Sequence, residues 1–361
     1  MKEPLKAPFP YFGGKSRAAE LIWSRLGNPP NYVEPFAGSL AVLLGRPDTP
    51  GTETVNDKDG FVCNAWRSIA YAPEATAHYA DWPINESDLH ARHIWLVNRR
   101  KSLSRRLEGD PMYFDSKVAG FWIWGMCSHI AAGFCSGEGP WKAVVDETGE
   151  LQLLTDREEG EGVARSMPHL STEGQCIGRS IVSLGPDRGV NRKFIQLGNN
   201  GSGVNRKRVE LHHGKGVHMG AFDSNEKMLG WFERLAERLR RVRVTCGDWT
   251  RVLGPSVTTR HGITGMVLDP PYENYEEYYS VESSVSADVR KWAIENGDEP
   301  LLRIALCGYE GEHEMPSSWE CVKWKAQGGY GNQNPDNQNR GLERIWFSPH
   351  CLKASLPLFG E

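Results

Sequence analysis

The chain has 361 residues, 39% hydrophobic and 24% charged, which are globular proportions and enough length for about two domains or one elaborated domain. No run approaches the roughly 20 apolar residues of a membrane-spanning helix, and Met1-Lys2-Glu3-Pro4 begins no signal peptide, so a cytoplasmic protein with no membrane partner is expected. A net charge of -4 argues against polyanion binding by the molecule as a whole and requires any nucleic-acid partner to meet a local basic patch. The eight cysteines contain no C-x-x-C pair, the pattern of reduced, buried thiols.

In chain order, Ala19, Ile22, Trp23 and Leu26 recur at helical spacing, and Gly27 stops the run ahead of Pro29-Pro30. Tyr32-Val33-Glu34 reads as a strand that breaks at Pro35-Phe36-Ala37-Gly38-Ser39, with Ser39 expected to cap a helix from Leu40 to Leu44. A second strand ends at Val55-Asn56-Asp57. After a long middle stretch, Val242 to Thr245 and Ile263 to Leu268 read as further strands, leading into Cys246-Gly247-Asp248-Trp249 and Asp269-Pro270-Pro271-Tyr272. Then follow a helix (Asp288 to Glu295), a strand (Leu302 to Leu306) and two antiparallel strands, Trp319 to Lys325 and Leu342 to Ser348. Between these last two, the Gly/Asn/Gln-rich stretch 328–340 is expected to be a mobile loop. Apolar runs alternating with helical patterns at both ends of the chain predict an α/β sheet with crossover helices.

The middle is built differently. From Arg179 to Lys215 there are eight basic residues against Asp187 and Glu210, and Arg92 to Arg106 holds six basic residues and no acidic one. A Gly-Val-Asn-Arg-Lys sequence occurs at 189–193 and again at 203–207, so Arg192, Lys193, Arg206 and Lys207 sit in two similar Gly-rich turns suited to DNA-backbone contact. Trp122, Trp124, Trp141 and His212, His213, His218 lie in the same middle region. Cys127, His129 and Cys135 match no common zinc spacing, even with His212-His213 added, and no metal is expected.

Two clusters carry chemistry. The turn Glu34 to Ser39 lies at the carboxyl end of a strand, and Asp57 follows 19 residues after Gly38, the separation at which an acidic side chain can accept from the ribose hydroxyls of a nucleoside. The turn lacks G-x-G-x-x-G and G-K-[ST], and Glu34 would repel a phosphate while attracting an ammonium or sulfonium group. In Asp269-Pro270-Pro271-Tyr272 a carboxylate ends an apolar strand, two prolines stiffen the chain and leave the Pro270 carbonyl as a second acceptor, and Tyr272 offers an aromatic face. An exocyclic amine on a planar base needs such a set, two acceptors for its N–H groups and a platform for its ring. Glu273, Glu276 and Glu277 beyond it read as the exposed start of a mobile loop.

Together with Tyr11-Phe12-Gly13-Gly14-Lys15 and the final Glu343-Arg344-Ile345-Trp346-Phe347-Ser348, these segments resemble, in order, the motifs of the DNA adenine methylase family. The resemblance covers both ends of the chain and not its middle. It implies a Rossmann-like class I methyltransferase sheet built from residues 1–65 and 240–361, with 66–239 an inserted target-recognition domain for double-stranded DNA. It implies transfer of a methyl group from S-adenosyl-L-methionine to N6 of a flipped adenine, in the setting of a phage or of restriction-modification with a restriction endonuclease partner. The site residues it implies are Tyr11, Lys15, Glu34, Phe36, Gly38, Asp57, Asp248 and Trp249 for the cofactor and Asp269, Pro270, Pro271 and Tyr272 for catalysis, with Lys15 near the cofactor's carboxylate or the catalytic wall. N4 of cytosine is an alternative target, because both amines present the same two N–H donors. A noncatalytic DNA-binding protein on the same scaffold is the other alternative.

Overall fold

The computed structural model describes residues 5–11, 13–48, 51–129, 134–135, 143–145, 151–153, 221–272, 285–324 and 343–353. The chain divides into two compact units, one of Met1–Ala7, Tyr11–Cys63 and Arg238–Glu361, the other of Pro8–Pro10 and Asn64–Glu237.

The first unit is α/β. Its sheet contains β1 (Asn31–Glu34), β2 (Thr52–Asp57), β5 (Val242–Cys246), β6 (Thr264–Leu268), β7 (Leu302–Tyr309), β8 (Glu320–Lys323) and β9 (Glu343–Phe347). Their spatial order is β5-β2-β1-β6-β7-β9-β8, parallel from β5 through β7, with β9 antiparallel to both of its neighbours. Every residue of β1 and β6 is buried, as expected of central parallel strands covered on both faces. One apolar cluster joins Val33, Met266, Leu268, Ile304, Leu306 and Trp346 to Val289 and Ala293 of the helix Val285–Asn296. Elsewhere in this unit the buried Glu53 meets two arginines, Arg46 at 2.9 Å and Arg238 at 2.7 Å. A buried carboxylate without such partners would carry a large desolvation cost.

The strand order places the site. From β1 the chain builds outward to β2 and β5 on one side, then returns to β6 and β7 on the other, so the order reverses between β1 and β6. A crevice opens at such a switch point outside the carboxyl ends of the strands, and ligands of open α/β sheets bind there. The carboxyl ends of β1, β2, β5, β6 and β7 all lie on this edge. Because β9 runs the other way, with Glu343 opposite Tyr309, the start of β9 lies there too.

Local chemistry sets one end of the first helix but not the start of the second. Gly27 closes the helix Ala19–Leu26 at φ +68°, its N–H bonded to the Trp23 carbonyl at 2.8 Å. Ser39 does not cap the next helix. That helix is Ala41–Leu44, its boundary residue Leu40 is left-handed at φ +53°, and no side chain caps it. The chain first reverses in a turn closed from the Leu40 N–H to the Ala37 carbonyl at 2.8 Å, which leaves Ser39 inside the turn.

The second unit contains the helices Pro73–Ala80, Glu86–Val97, Arg100–Gly109 and Ser116–Ser128, and the short antiparallel pair β3 (Ala143–Val145) and β4 (Leu151–Leu153). Gly120 is required where two of these helices cross, because a Cβ there would come within 2.4 Å of Tyr79 Cβ and 2.8 Å of backbone atoms. Trp122 and Trp124 are core residues, 2% and 0% exposed. Arg92, from the basic run, is also buried, with its guanidinium 4.1 Å from the Phe121 ring centroid and 4.3 Å from that of Trp124. Neither the tryptophans nor Arg92 presents a nucleic-acid surface. The repeat at 189–193 and 203–207, with Arg192, Lys193, Arg206 and Lys207, lies outside the described residues, as do 328–340, Glu273, Glu276, Glu277, Trp141, His212, His213 and His218.

Candidate functional site

At the tip of β1, Glu34 is 5% exposed, and its Oε2 accepts from the Tyr32 hydroxyl at 3.0 Å. Burial raises the Glu34 carboxyl to about pH 8, against the Tyr32 hydrogen bond that favours ionisation, with the charge of Asp269 adding to the rise. At neutral pH this acid is therefore mostly protonated, and a cation placed beside it would draw the proton off. The attraction for a sulfonium or ammonium expected from the sequence therefore becomes an ionisation coupled to the arrival of a cation.

The turn that follows is held from β2. Gly38 sits at φ +44°, and a Cβ on it would lie 2.5 Å from Tyr11 Cε1, so both conformation and space demand glycine. Its N–H donates to Asp57 Oδ2 at 2.9 Å, and Asp59 N–H donates to Asp57 Oδ1 at 2.8 Å. Asp57, half-buried, is raised to about 6 by burial despite these bonds. It thus clamps the turn, and its remaining lone pairs can still accept from a ligand. Asn56 beside it is fully buried and donates to the carbonyls of Pro35 at 3.2 Å and Gly247 at 2.9 Å, while its Oδ1 accepts from Thr245 at 3.0 Å. One amide thus ties the ends of β1, β2 and β5 together. Asp248 is exposed and caps the short helical turn Trp249–Val252, accepting from Thr250 N–H at 3.0 Å. Trp249 and Phe36 are partly buried on the core, their ring planes 25° apart and their centroids 6.1 Å apart.

The second group lies at the ends of β6 and β9. Lys15 Nζ is 2.9 Å from Asp269 Oδ1 and 4.0 Å from Glu343 Oε2, and donates to the Gly13 carbonyl at 2.9 Å. Its side chain is 4% exposed, and that of Asp269 is 24%. Burial alone would pull the Lys15 ammonium down. The two carboxylates outweigh it and hold the ammonium above the usual lysine range. The Tyr272 hydroxyl lies 3.1 Å from Asp269 Oδ1 and 3.2 Å from Glu343 Oε2. Its ring is buried edge-to-face on Tyr309 at 4.6 Å, with the Lys15 ammonium 5.1 Å from its centroid. Burial, then the neighbouring Asp269 charge, keeps this phenol protonated. Pro270 is buried and Pro271 half-buried.

The structure therefore brings Lys15, Asp269 and Tyr272 into contact, joins Gly38 to Asp57 and Tyr11, and pairs Phe36 with Trp249. Glu343, Tyr32 and Asn56 were not assigned roles from the sequence. The sequence reads Trp319–Lys325 and Leu342–Ser348 as antiparallel to each other, which does not say which of the two runs against the parallel strands; the pairing of β9 with β7 does. Among the described residues no group of three or more His, Cys, Asp or Glu has the geometry to hold a metal ion, and no helix is long and apolar enough to cross a membrane. Comparison with protein-family models and with curated proteins gave no match.

Proposed function

We propose that this chain is a DNA methyltransferase that moves a methyl group from S-adenosyl-L-methionine to N6 of an adenine held out of the helix. The observation that carries the reading is the carboxylate Asp269, fixed by Lys15 and Tyr272 at the end of β6, beside the switch point and within electrostatic reach of Glu34. The first five strands, in the order β5-β2-β1-β6-β7, follow the 3-2-1-4-5 order of nucleotide-binding sheets, and the antiparallel β9 then departs from it. This supports a Rossmann-like class I methyltransferase sheet. On this reading residues 66–239 would be the inserted recognition domain, close to the bounds Asn64–Glu237 of the second compact unit.

The residues present fit the cofactor. Glu34 is a buried carboxyl whose ionisation a neighbouring cation would favour, Gly38 lets the turn close against Tyr11, Asp57 keeps lone pairs for ribose hydroxyls, and Phe36 with Trp249 supplies apolar faces for an adenine ring. When bound, the cofactor supplies an activated methyl group. The chain's own work is at the amine. Adenine N6 is a poor nucleophile because its lone pair is delocalised into the ring. Asp269 and the Pro270 carbonyl, by accepting its two N–H groups, favour the pyramidal nitrogen of the transition state. Lys15 holds the Asp269 carboxylate in place.

The test is incubation of the protein with DNA and methyl-labelled cofactor, followed by nucleoside analysis. The proposal predicts label in N6-methyladenosine. Label in N4-methylcytosine would move the target to cytosine, and DNA binding without label would favour the noncatalytic alternative. Expression in a host lacking adenine methylation, with modified bases mapped on its genome, would give the recognition sequence.

A further inference from the structure

Asp269 is not the only carboxylate at the end of β6. Glu343, the first residue of β9, is 7% exposed, and the Lys15 ammonium lies between the two acids, in contact with both. With both carboxylates ionised, this triad carries one negative charge in excess. The Tyr272 hydroxyl bridges them at 3.1 and 3.2 Å, and a phenol carries a single proton. A proton arriving on Asp269 Oδ1 can therefore reach Glu343 Oε2 by two hops, one onto the phenol oxygen and one off it, with no heavy atom moving.

Among the described residues, the titratable groups facing Glu343 are Lys15 from the N-terminal segment, Asp269 and Tyr272 after β6, Cys307 on β7, and Glu312 beyond it. Arg344, next in sequence, has its guanidinium on Glu310 and on the Glu343 main-chain carbonyl instead. Burial, and then the nearby charges of Asp269 and Glu312, favour the protonated form of Glu343, while Lys15 and the hydrogen bond from Tyr272 oppose it.

Amine methylation must dispose of a proton. As nitrogen forms its bond to the methyl carbon, the electron pair of the breaking S–C bond stays with sulfur, and the nitrogen, left positive, sheds one proton. We propose that Glu343 receives that proton, acting through the Tyr272 hydroxyl and Asp269. Glu343 touches no reacting atom and is a positioning residue for proton and charge. Its ionised form supplies the excess negative charge that favours a developing positive charge on nitrogen. This inference rests on the methyltransferase reading above.

The experiment compares wild type, Glu343→Gln and Tyr272→Phe in single-turnover methyl transfer across pH 5 to 9, each variant first checked for folding. Wild type should lose rate on the acid side as Glu343 becomes protonated. Glu343→Gln, which keeps an acceptor for the phenol, should lose that acid limb and about 10- to 100-fold of the plateau rate, with cofactor affinity unchanged. A second readout needs no activity. In protein carrying carbon-13 glutamate carboxyls, Glu343→Gln should delete one resonance with a raised midpoint, and Asp269→Asn should move that midpoint down by removing a neighbouring negative charge. A wild-type rate and pH profile in Glu343→Gln would overturn the proposal while leaving the methyltransferase reading intact. No methyl transfer by wild type would overturn that reading and this inference with it. Should Glu343→Gln fail to fold, Tyr272→Phe decides: it keeps both carboxylates and cuts the bridge, so a loss of at least tenfold is expected and a wild-type rate refutes the relay.

Discussion

Lys15 Nζ lies 2.9 Å from Asp269 Oδ1, pairing a residue of the N-terminal segment with one at the end of β6. The lysine side chain is almost fully buried, and the paired carboxylates offset the desolvation of its ammonium.

Lys15→Met should therefore be more harmful than an exposed lysine substitution. It leaves Asp269 and Glu343 without their shared cation, and breaking such a buried pair costs about 3 kcal/mol or more. Urea unfolding measures this. The double variant Lys15→Met, Asp269→Asn should recover part of the loss, because the two changes act on one interaction. Strict additivity would show that the pair is not coupled.

The Glu34 carboxyl gives a pH dependence whose sign can be worked out. Its folded value, about 8, lies above the ordinary glutamate value, so between about pH 4.5 and 8 the folded state binds more protons than the unfolded state. Stability from this group is therefore highest on the acid side and falls as pH rises through that window. Glu34→Gln should flatten the fall, by roughly 2 to 5 kcal/mol at its upper end. Binding of S-adenosyl-L-methionine by wild type near pH 7 should release protons, seen as a buffer-dependent heat in calorimetry, and Glu34→Gln should release fewer. Equal heats in buffers of different ionisation enthalpy would contradict the coupling.

The basic repeat makes a prediction that needs only the sequence. If Arg192, Lys193, Arg206 and Lys207 meet DNA phosphates, replacing all four with alanine should flatten the log-log salt dependence of DNA binding by roughly 0.9 per lost contact. Cofactor affinity should not change. An unaltered slope would take the repeat out of the DNA interface.

Much of the first unit was legible because its signals are local. The apolar runs that became β1 and β6, the glycine at 27 and the prolines after Asp269 each state their structure within a few residues. Ser39 misled because capping preference is one local term, while the left-handed Gly38 and Leu40 belong to a turn fixed by Asp57 and Tyr11 from elsewhere in the chain. The burial of Arg92 was not legible either, since charge along a sequence does not show which guanidinium will be buried against Phe121 and Trp124. Glu343 stayed without a role because its value depends on strand order. Only the antiparallel pairing of β9 with β7 carries it to the edge where β6 ends.

The proposed mechanism depends on Asp269. The most direct measurement is single-turnover methyl transfer to DNA by folded Asp269→Ala beside wild type, with cofactor affinity measured on the same preparations. The proposed chemistry predicts transfer by wild type and none detectable by the variant, with cofactor affinity within about tenfold, or 1.4 kcal/mol. A variant rate close to that of wild type would remove Asp269 from the mechanism and contradict the assignment of amine methylation.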